Sequence, residues 1–181
     1  MIDLNELAKK VHANSVEKGF WEGDPSDQHF LCLVISELME AVEADRKSLV
    51  ADKQKFNEWM LSGNPHRHVF ENAFEKWIKD SVSDELSDAF IRLLDLAGAR
   101  NLNMNRINFT NIVSKNKTFT ENIYSIIKDL MNNRYSLEEQ IFYCLSQISM
   151  LAEILEIPLS WHVEQKMKYN QLREYKHGKK Y

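Results

Sequence analysis

Residues 29–47 read His29-Phe30-Leu31-Cys32-Leu33-Val34-Ile35-Ser36-Glu37-Leu38-Met39-Glu40-Ala41-Val42-Glu43-Ala44-Asp45-Arg46-Lys47. Leu31, Ile35, Leu38 and Val42 recur at helical spacing and form one apolar stripe, while Phe30, Leu33, Val34, Ala41 and Ala44 form a second beside it. This is the most apolar helix the chain offers, and Glu37 and Glu40 fall along its second stripe. Residues three apart are neighbours on a helix surface, so both carboxylates point toward one place. In an apolar setting they repel unless a cation sits between them.

The same period recurs outward from this helix. Leu4, Leu7, Ala8 and Val11 predict a first helix opened by Asp3, with Glu6 completing a capping box, and stopped at Gly19. Leu86, Ala89, Phe90, Leu93, Leu94 and Ala97 predict a long helix over residues 82–100, uninterrupted by any breaker. Between these two lies a predicted helical insertion, about residues 48–75, that runs through the turn signal Gly63-Asn64-Pro65. Six asparagines between Asn101 and Asn116 predict a loop over about residues 101–117. Thr118 with Glu121, and Ser136 with Glu139, are capping boxes that open two further helices, and Ser160 is the expected cap of a last one. The chain, residues 1–181, therefore reads as a single all-α helical bundle. Leu96-Ala97 echoes Leu151-Ala152, and Glu37-Leu38-Met39-Glu40 echoes Asp129-Leu130-Met131-Asn132, so the second half carries a faint likeness to a helical hairpin that has lost its acids.

Composition agrees with this class. Five glycines and three prolines in 181 residues are too few for arrays of short strands, and 44% hydrophobic residues supply a core. A net charge of −4 argues against broad binding to a nucleic-acid polymer. Cys32 and Cys144 form no CxxC and read as core thiols of a reducing compartment. The longest apolar run, Phe30 to Ile35, is too short to span a bilayer, so a cytoplasmic location away from membranes is expected. There is no HExxH and no GxxxxGK[ST] loop, and the one Glu-x-x-His, Glu174 to His177, sits at the C-terminal end, so zincin, P-loop and di-iron readings fail.

Glu85 and Asp88 repeat the three-residue spacing on the later helix. Two such helices packed antiparallel present four carboxylates to one site, a donor set that suits Mg²⁺ or Mn²⁺ better than zinc. Against this stands an ordinary wet face, since Ser81, Asp84, Arg92 and Asp95 flank the second pair. Farther on, residues 166–181 carry Lys166, Lys168, Arg173, Lys176, Lys179 and Lys180 against Glu174 alone, interleaved with tyrosines. Such a segment is either a solvated tail, a single-strand binder or a phosphate-holding element. The acidic remainder of the chain favours the last.

Glu37-x-x-Glu40 followed by Asp84-Glu85-Leu86-Ser87-Asp88 and Ile91-Arg92-Leu93-Leu94-Asp95-Leu96-Ala97 resembles the MazG-like all-α nucleotide pyrophosphohydrolases, a superfamily that includes dimeric dUTPase and dCTPase-like enzymes. Lys166-x-x-x-Asn170-x-x-Arg173 with His177-Gly178-Lys179 is similar to its C-terminal segment, and Lys18-Gly19-Phe20-Trp21 resembles the end of its first helix. The likeness covers the first hundred residues and the last twenty or so. It implies Mg²⁺ held by Glu37, Glu40, Glu85 and Asp88, which are the catalytic and metal-binding set, with Mn²⁺ as a substitute. It further implies hydrolysis of a (deoxy)nucleoside triphosphate to the monophosphate and pyrophosphate, with Lys166, Asn170, Arg173 and Lys179 on the phosphates and Trp21 or Phe20 stacked on the base. Ser36 stands where the fuller family motif begins with an acid, and the separation of Glu40 from Glu85 is longer than in compact members.

The rival reading from another class is a non-enzymatic helical interaction or regulatory protein whose acids are surface charge. Burial of Glu37 discriminates between the two. In either case a homo-oligomer, a dimer or larger, is expected, because the aromatic segment Val69 to Trp77 exceeds what a small core covers.

Overall fold

A computed structural model describes residues 3–62, 67–107, 115–178 and 180. The described residues form eight α-helices and no strand: α1 (Leu4–Glu17), α2 (Asp27–Arg46), α3 (Lys53–Ser62), α4 (Arg67–Trp77), α5 (Val82–Ala99), α6 (Phe119–Leu130), α7 (Leu137–Ile154) and α8 (Leu159–Leu172). Short 3-10 turns follow at Met104–Arg106 and Tyr175–Gly178. The fold is all-α, as the periodicity predicts. Of the expected loops, residues 63–66 and 108–114 lie outside the described residues.

Capping chemistry explains most helix starts. Ser26, Ser81, Thr118 and Ser136 each accept the backbone N–H three residues on, and the two expected capping boxes at Thr118/Glu121 and Ser136/Glu139 both close. Two expectations fail. Asp3 caps α1, but Glu6 turns to Lys9 at 2.9 Å instead of reaching back, because a lysine one turn along offers it a full charge. Ser160 does not cap α8, whose first backbone carbonyl acceptor is Pro158, a residue with φ already set for a helix start.

α5 is the axis of the molecule, packed against α1, α2, α7 and α8. Three contacts show that α2 and α5 run antiparallel. Asp27 at the start of α2 accepts from Arg100 just beyond the end of α5 at 2.8 Å, Glu37 meets Arg92 at mid-length, and Leu49 beyond α2 accepts from the Val82 N–H at 3.1 Å. Gly98 lets α1 approach α5 so closely that a Cβ there would lie 2.6 Å from the Ala8 carbonyl oxygen. The main core joins Val34, Leu38 and Ala41 of α2 with Leu86, Leu93 and Leu94 of α5, Ile123 and Ile126 of α6, and Ile141 and Leu145 of α7. Phe30, Val34, Ala41 and Ala44 of the second stripe are buried together with Leu38 of the first, whereas Leu31, Ile35 and Val42 are only partly buried. Cys32 is exposed where a core thiol is expected, and Cys144 is buried.

The insertion has its own aromatic core. Phe56 of α3, Phe70, Ala73 and Phe74 of α4, Ile78 beyond it and Tyr169 of α8 are buried together, with Phe74 stacked on Tyr169 at 4.4 Å. The aromatic segment expected to drive self-association is therefore covered largely by the chain's own α3 and α8. No single helix among the described residues is long and apolar enough to cross a membrane.

Candidate metal centre and its cleft

The antiparallel pairing of α2 and α5 sets Glu37 and Glu40 opposite the first turns of α5. One carboxylate oxygen each from Glu37, Glu40 and Glu85 lies within 4.8 Å of the other two. Glu37 and Glu85 are buried, 4% and 5% exposed, whereas Glu40 faces solvent and accepts from the Ser36 hydroxyl at 3.1 Å. Burial pushes Glu37 above the usual carboxylate range and Asp88 adds to the effect, while Arg92 opposes it. Glu85 is pushed up to about 9 by burial and then by Asp84 and Asp88. Its carboxylate makes no hydrogen bond with the described residues, although Asp84 and Glu85 stand in the first turn of α5, where the helix dipole favours negative charge. A hard divalent cation takes carboxylate oxygens as ligands, so the donor set fits Mg²⁺ or Mn²⁺.

Asp88 is placed beside this trio but is engaged differently. Its Oδ2 lies 2.8 Å from Lys166 Nζ of α8, and the same ammonium lies 2.8 Å from Asp84 Oδ2. Burial works to raise Asp88, but Lys166, Arg92 and Arg173 outweigh it and hold the group below its usual range. Asp84, 1% exposed, is pushed up to about 6 by burial against the pull of Lys166. Lys166 itself is buried, and the two aspartates hold its proton more tightly than water does.

A cleft runs from Glu37, Asp88 and Arg92 along α1, α2 and α5 toward Phe20, Phe30 and Leu33. Asn170 and Arg173 at the end of α8, and His177 of the last turn, form its other wall. Two polar atoms on that wall, Asn170 Oδ1 and His177 Nε2, are buried without a partner. Trp21 is not at the cleft surface. It stacks on Phe30 with centroids 4.0 Å apart, and its indole N–H donates to Asp95 at 3.0 Å, so Phe20 and Phe30 rather than Trp21 are the aromatic side chains that line the space.

No family model matches this chain, and no curated protein or solved structure matches it either. The site therefore stands on its own geometry.

Of the residues singled out in the sequence, Glu37, Glu40, Glu85, Asp88, Lys166, Asn170 and Arg173 gather at or beside this cleft. Lys179 lies outside the described residues. The wet-face reading of α5 fails, since Ser81, Asp84 and Asp95 are all buried. Three residues take larger parts than their sequence context indicates. Arg92 donates to Glu37 at 2.6 Å, Asp84 shares Lys166 with Asp88, and Asp95 joins Trp21 with His12. The spacing Asp84, Asp88, Arg92, one turn apart each time, is the signal that places all three along one face.

Proposed function

We propose that this chain hydrolyses a (deoxy)nucleoside triphosphate to the monophosphate and pyrophosphate, with Mg²⁺ held by Glu37, Glu40, Glu85 and Asp88. The observation that carries the reading is the burial of Glu37 and Glu85 within reach of Glu40, at the end of a cleft whose opposite wall bears Arg173 and the unpartnered Asn170 and His177. A regulatory bundle has no use for two buried acids against unpartnered donors and acceptors. MazG-like resemblance in the two acidic motifs points the same way.

The bound cation supplies neutralisation of phosphate charge and a lowered pKa for its water. The chain's own residues do the positioning. Arg173 offers a planar fork of donors to phosphate oxygens, and the Asn170 amide binds beside it. Arg92 fixes the Glu37 carboxylate through its Nε–H, so that this side chain does not have to be ordered when substrate arrives. Asp88, kept ionised by its three cationic neighbours, accepts a hydrogen bond from the attacking water and orients it. Phe20, Phe30 and Leu33 exclude water from the far end of the cleft and offer apolar surface to a base. Self-association into a homo-oligomer belongs to the same proposal.

Incubation of the pure protein with a panel of nucleoside triphosphates and Mg²⁺, with separation of monophosphate, diphosphate, phosphate and pyrophosphate, tests this reading. Monophosphate and pyrophosphate in equal amounts, lost in excess chelator, are expected. Diphosphate and phosphate, or no turnover on any member, would overturn it.

A further inference from the structure

The turn beyond Arg173 carries backbone strain. Lys176, His177 and Gly178 adopt φ +46, +52 and +72, three left-handed residues in a row, a conformation that costs any residue but glycine stability. The turn is fastened from two sides. The Lys176 N–H donates to the Lys18 carbonyl at 2.9 Å, and the Arg173 guanidinium donates to the His177 carbonyl at 3.2 Å. So held, the His177 ring meets Phe20 edge-on with centroids 5.0 Å apart, where both side chains line the cleft.

Strain of this kind persists where the surrounding structure over-determines it, and it clusters at ligand sites. The side chain it places here has an unused atom: His177 Nε2 is buried without a partner among the described residues. Packing on Phe20 does not explain a nitrogen at that position, since a phenyl ring would pack there equally well. Burial and then the Arg173 charge, against the pull of Asp88, push the imidazole down to about 3, so the ring is neutral at physiological pH. A neutral imidazole offers one N–H, one bare nitrogen and no charge. It suits an uncharged group that gives or takes a single hydrogen bond, and it leaves phosphate to Arg173.

We propose that His177 is a specificity-determining residue of the cleft, whose Nε2 hydrogen-bonds the edge of a nucleobase lying against Phe20. The inference rests on the nucleotide reading above and adds which part of the substrate this turn recognises. Arg173 links the two ends of the ligand, because the guanidinium that faces the phosphates also holds the His177 carbonyl and so fixes the ring. A base whose edge matches the imidazole tautomer pairs with Nε2. A base that does not match leaves two buried polar groups unpaired, and that penalty is the discrimination.

Nitrogen-15 NMR of the histidine-labelled full chain reads Nε2 directly, with the spectrum of His177→Gln identifying its resonance. The probes are α,β-imido analogues of the common deoxynucleoside triphosphates, which resist cleavage at the α-phosphorus, and inorganic tripolyphosphate, each with Mg²⁺. The best-bound analogue should move the Nε2 resonance, and tripolyphosphate should leave it in place. Calorimetric titration with the same analogues measures the consequence. His177→Phe, which keeps a ring against Phe20, should bind the best analogue about two- to tenfold more weakly, the scale of one neutral hydrogen bond, and should lose the preference among bases. His177→Asn tolerates the left-handed backbone but ends short of Nε2, so it should behave like His177→Phe, whereas His177→Gln should recover part of the preference. A resonance that moves equally with tripolyphosphate, or a His177→Phe variant that discriminates as wild type does, overturns the proposal and leaves hydrolysis standing. The expected shift without turnover of the ordinary nucleotides strikes the hydrolysis reading alone, and failure of every analogue to bind overturns both.

Discussion

Lys166 Nζ lies 2.8 Å from Asp84 Oδ2 and 2.8 Å from Asp88 Oδ2, so one buried ammonium from α8 ties together two acids a helical turn apart on α5. Two carboxylates share one cation, and the adjacent Glu85 has none. The acidic motif is thus split into a neutralised half and an unsatisfied half, and the unsatisfied half faces Glu37 and Glu40.

Replacing Lys166 with Met should destabilise the protein severely. The lysine is 4% exposed, and its removal leaves Asp84 buried with no cation. Breaking a buried ion pair from one side costs about 3–5 kcal/mol. Equilibrium urea unfolding of Lys166→Met against wild type at neutral pH measures the loss. A change below about 1 kcal/mol, the scale of exposed pairs, would show that the ammonium is not confined as described.

Glu85 makes stability depend on pH in a definite direction. Its folded-state pKa is raised from 4.5 to about 9, so the folded chain binds this proton more tightly than the unfolded one. That contribution is complete below about pH 4.5 and is lost as pH rises through about 9. The metal-free protein should therefore lose stability on going from pH 5 to pH 9, with a slope from this group of up to about 1.4 kcal/mol per pH unit. Glu85→Gln should flatten that slope, raise metal-free stability at pH 8, and abolish Mg²⁺-dependent turnover. Glu37→Gln is expected to abolish turnover with less relief, because Arg92 already offsets the Glu37 charge. Urea unfolding at several pH values in chelator provides the measurement, and an unchanged slope in Glu85→Gln would count against the assignment.

The helices were legible in the sequence wherever their signals are local. On α2 the second stripe supplies Phe30, Val34, Ala41 and Ala44 to the core and the first supplies Leu38, and the capping boxes at Thr118 and Ser136 close as their spacing predicts. The site was legible only in part, because its other half arrives from α8. Asp84 resembles a wet-face residue until Lys166, far along the chain, covers it. Arg92 looks like surface charge until α2 brings Glu37 to it. Trp21 reads as a stacking platform, but Asp95 captures its N–H and Phe30 its face, and so the role passes to Phe20. The C-terminal segment reads as a phosphate-holding element by its charge, but nothing local shows that His177 lies edge-on against Phe20 at 5.0 Å. Contacts between elements distant in the chain carry no local signature, which is why these assignments needed the fold.

Arg173 separates a phosphate-holding wall from diffuse basic charge. A charge-assisted hydrogen bond contributes about 1.5–3 kcal/mol, so Arg173→Ala should lower kcat/KM by about one to two orders of magnitude. Lys176→Ala is the control, since Lys176 is directed to Glu22 at 3.5 Å and does not line the cleft. Arg173→Lys keeps the charge without the fork and should recover only part of the loss. Equal, mild effects of Arg173→Ala and Lys176→Ala in steady-state assays would mean that charge alone matters.

Gly19 links the end of α1 to that wall and provides the last test. It adopts φ +82, and a Cβ at this position would overlap the Tyr175 ring, so alanine meets both backbone strain and a clash. The segment it holds is pinned by few bonds: the Lys176 N–H donates to the Lys18 carbonyl at 2.9 Å, and Lys18 Nζ donates to the carbonyls of Gln171 and Arg173. Alanine in a left-handed conformation costs about 1–2 kcal/mol before any clash, which is comparable to what a few exposed hydrogen bonds contribute. Gly19→Ala should therefore release residues 174–178 from α1 while leaving the α2–α5 core folded. Hydrogen exchange reads this directly, with faster exchange at the Lys176 N–H and unchanged protection across α5. Turnover should fall through a raised KM, because His177 leaves the wall and the Arg173 guanidinium loses the His177 carbonyl that it donates to, while Glu37, Glu40 and Glu85 stay in place. Unchanged exchange at Lys176 would mean that Tyr175 shifts to accept the methyl group and that the turn does not depend on this glycine.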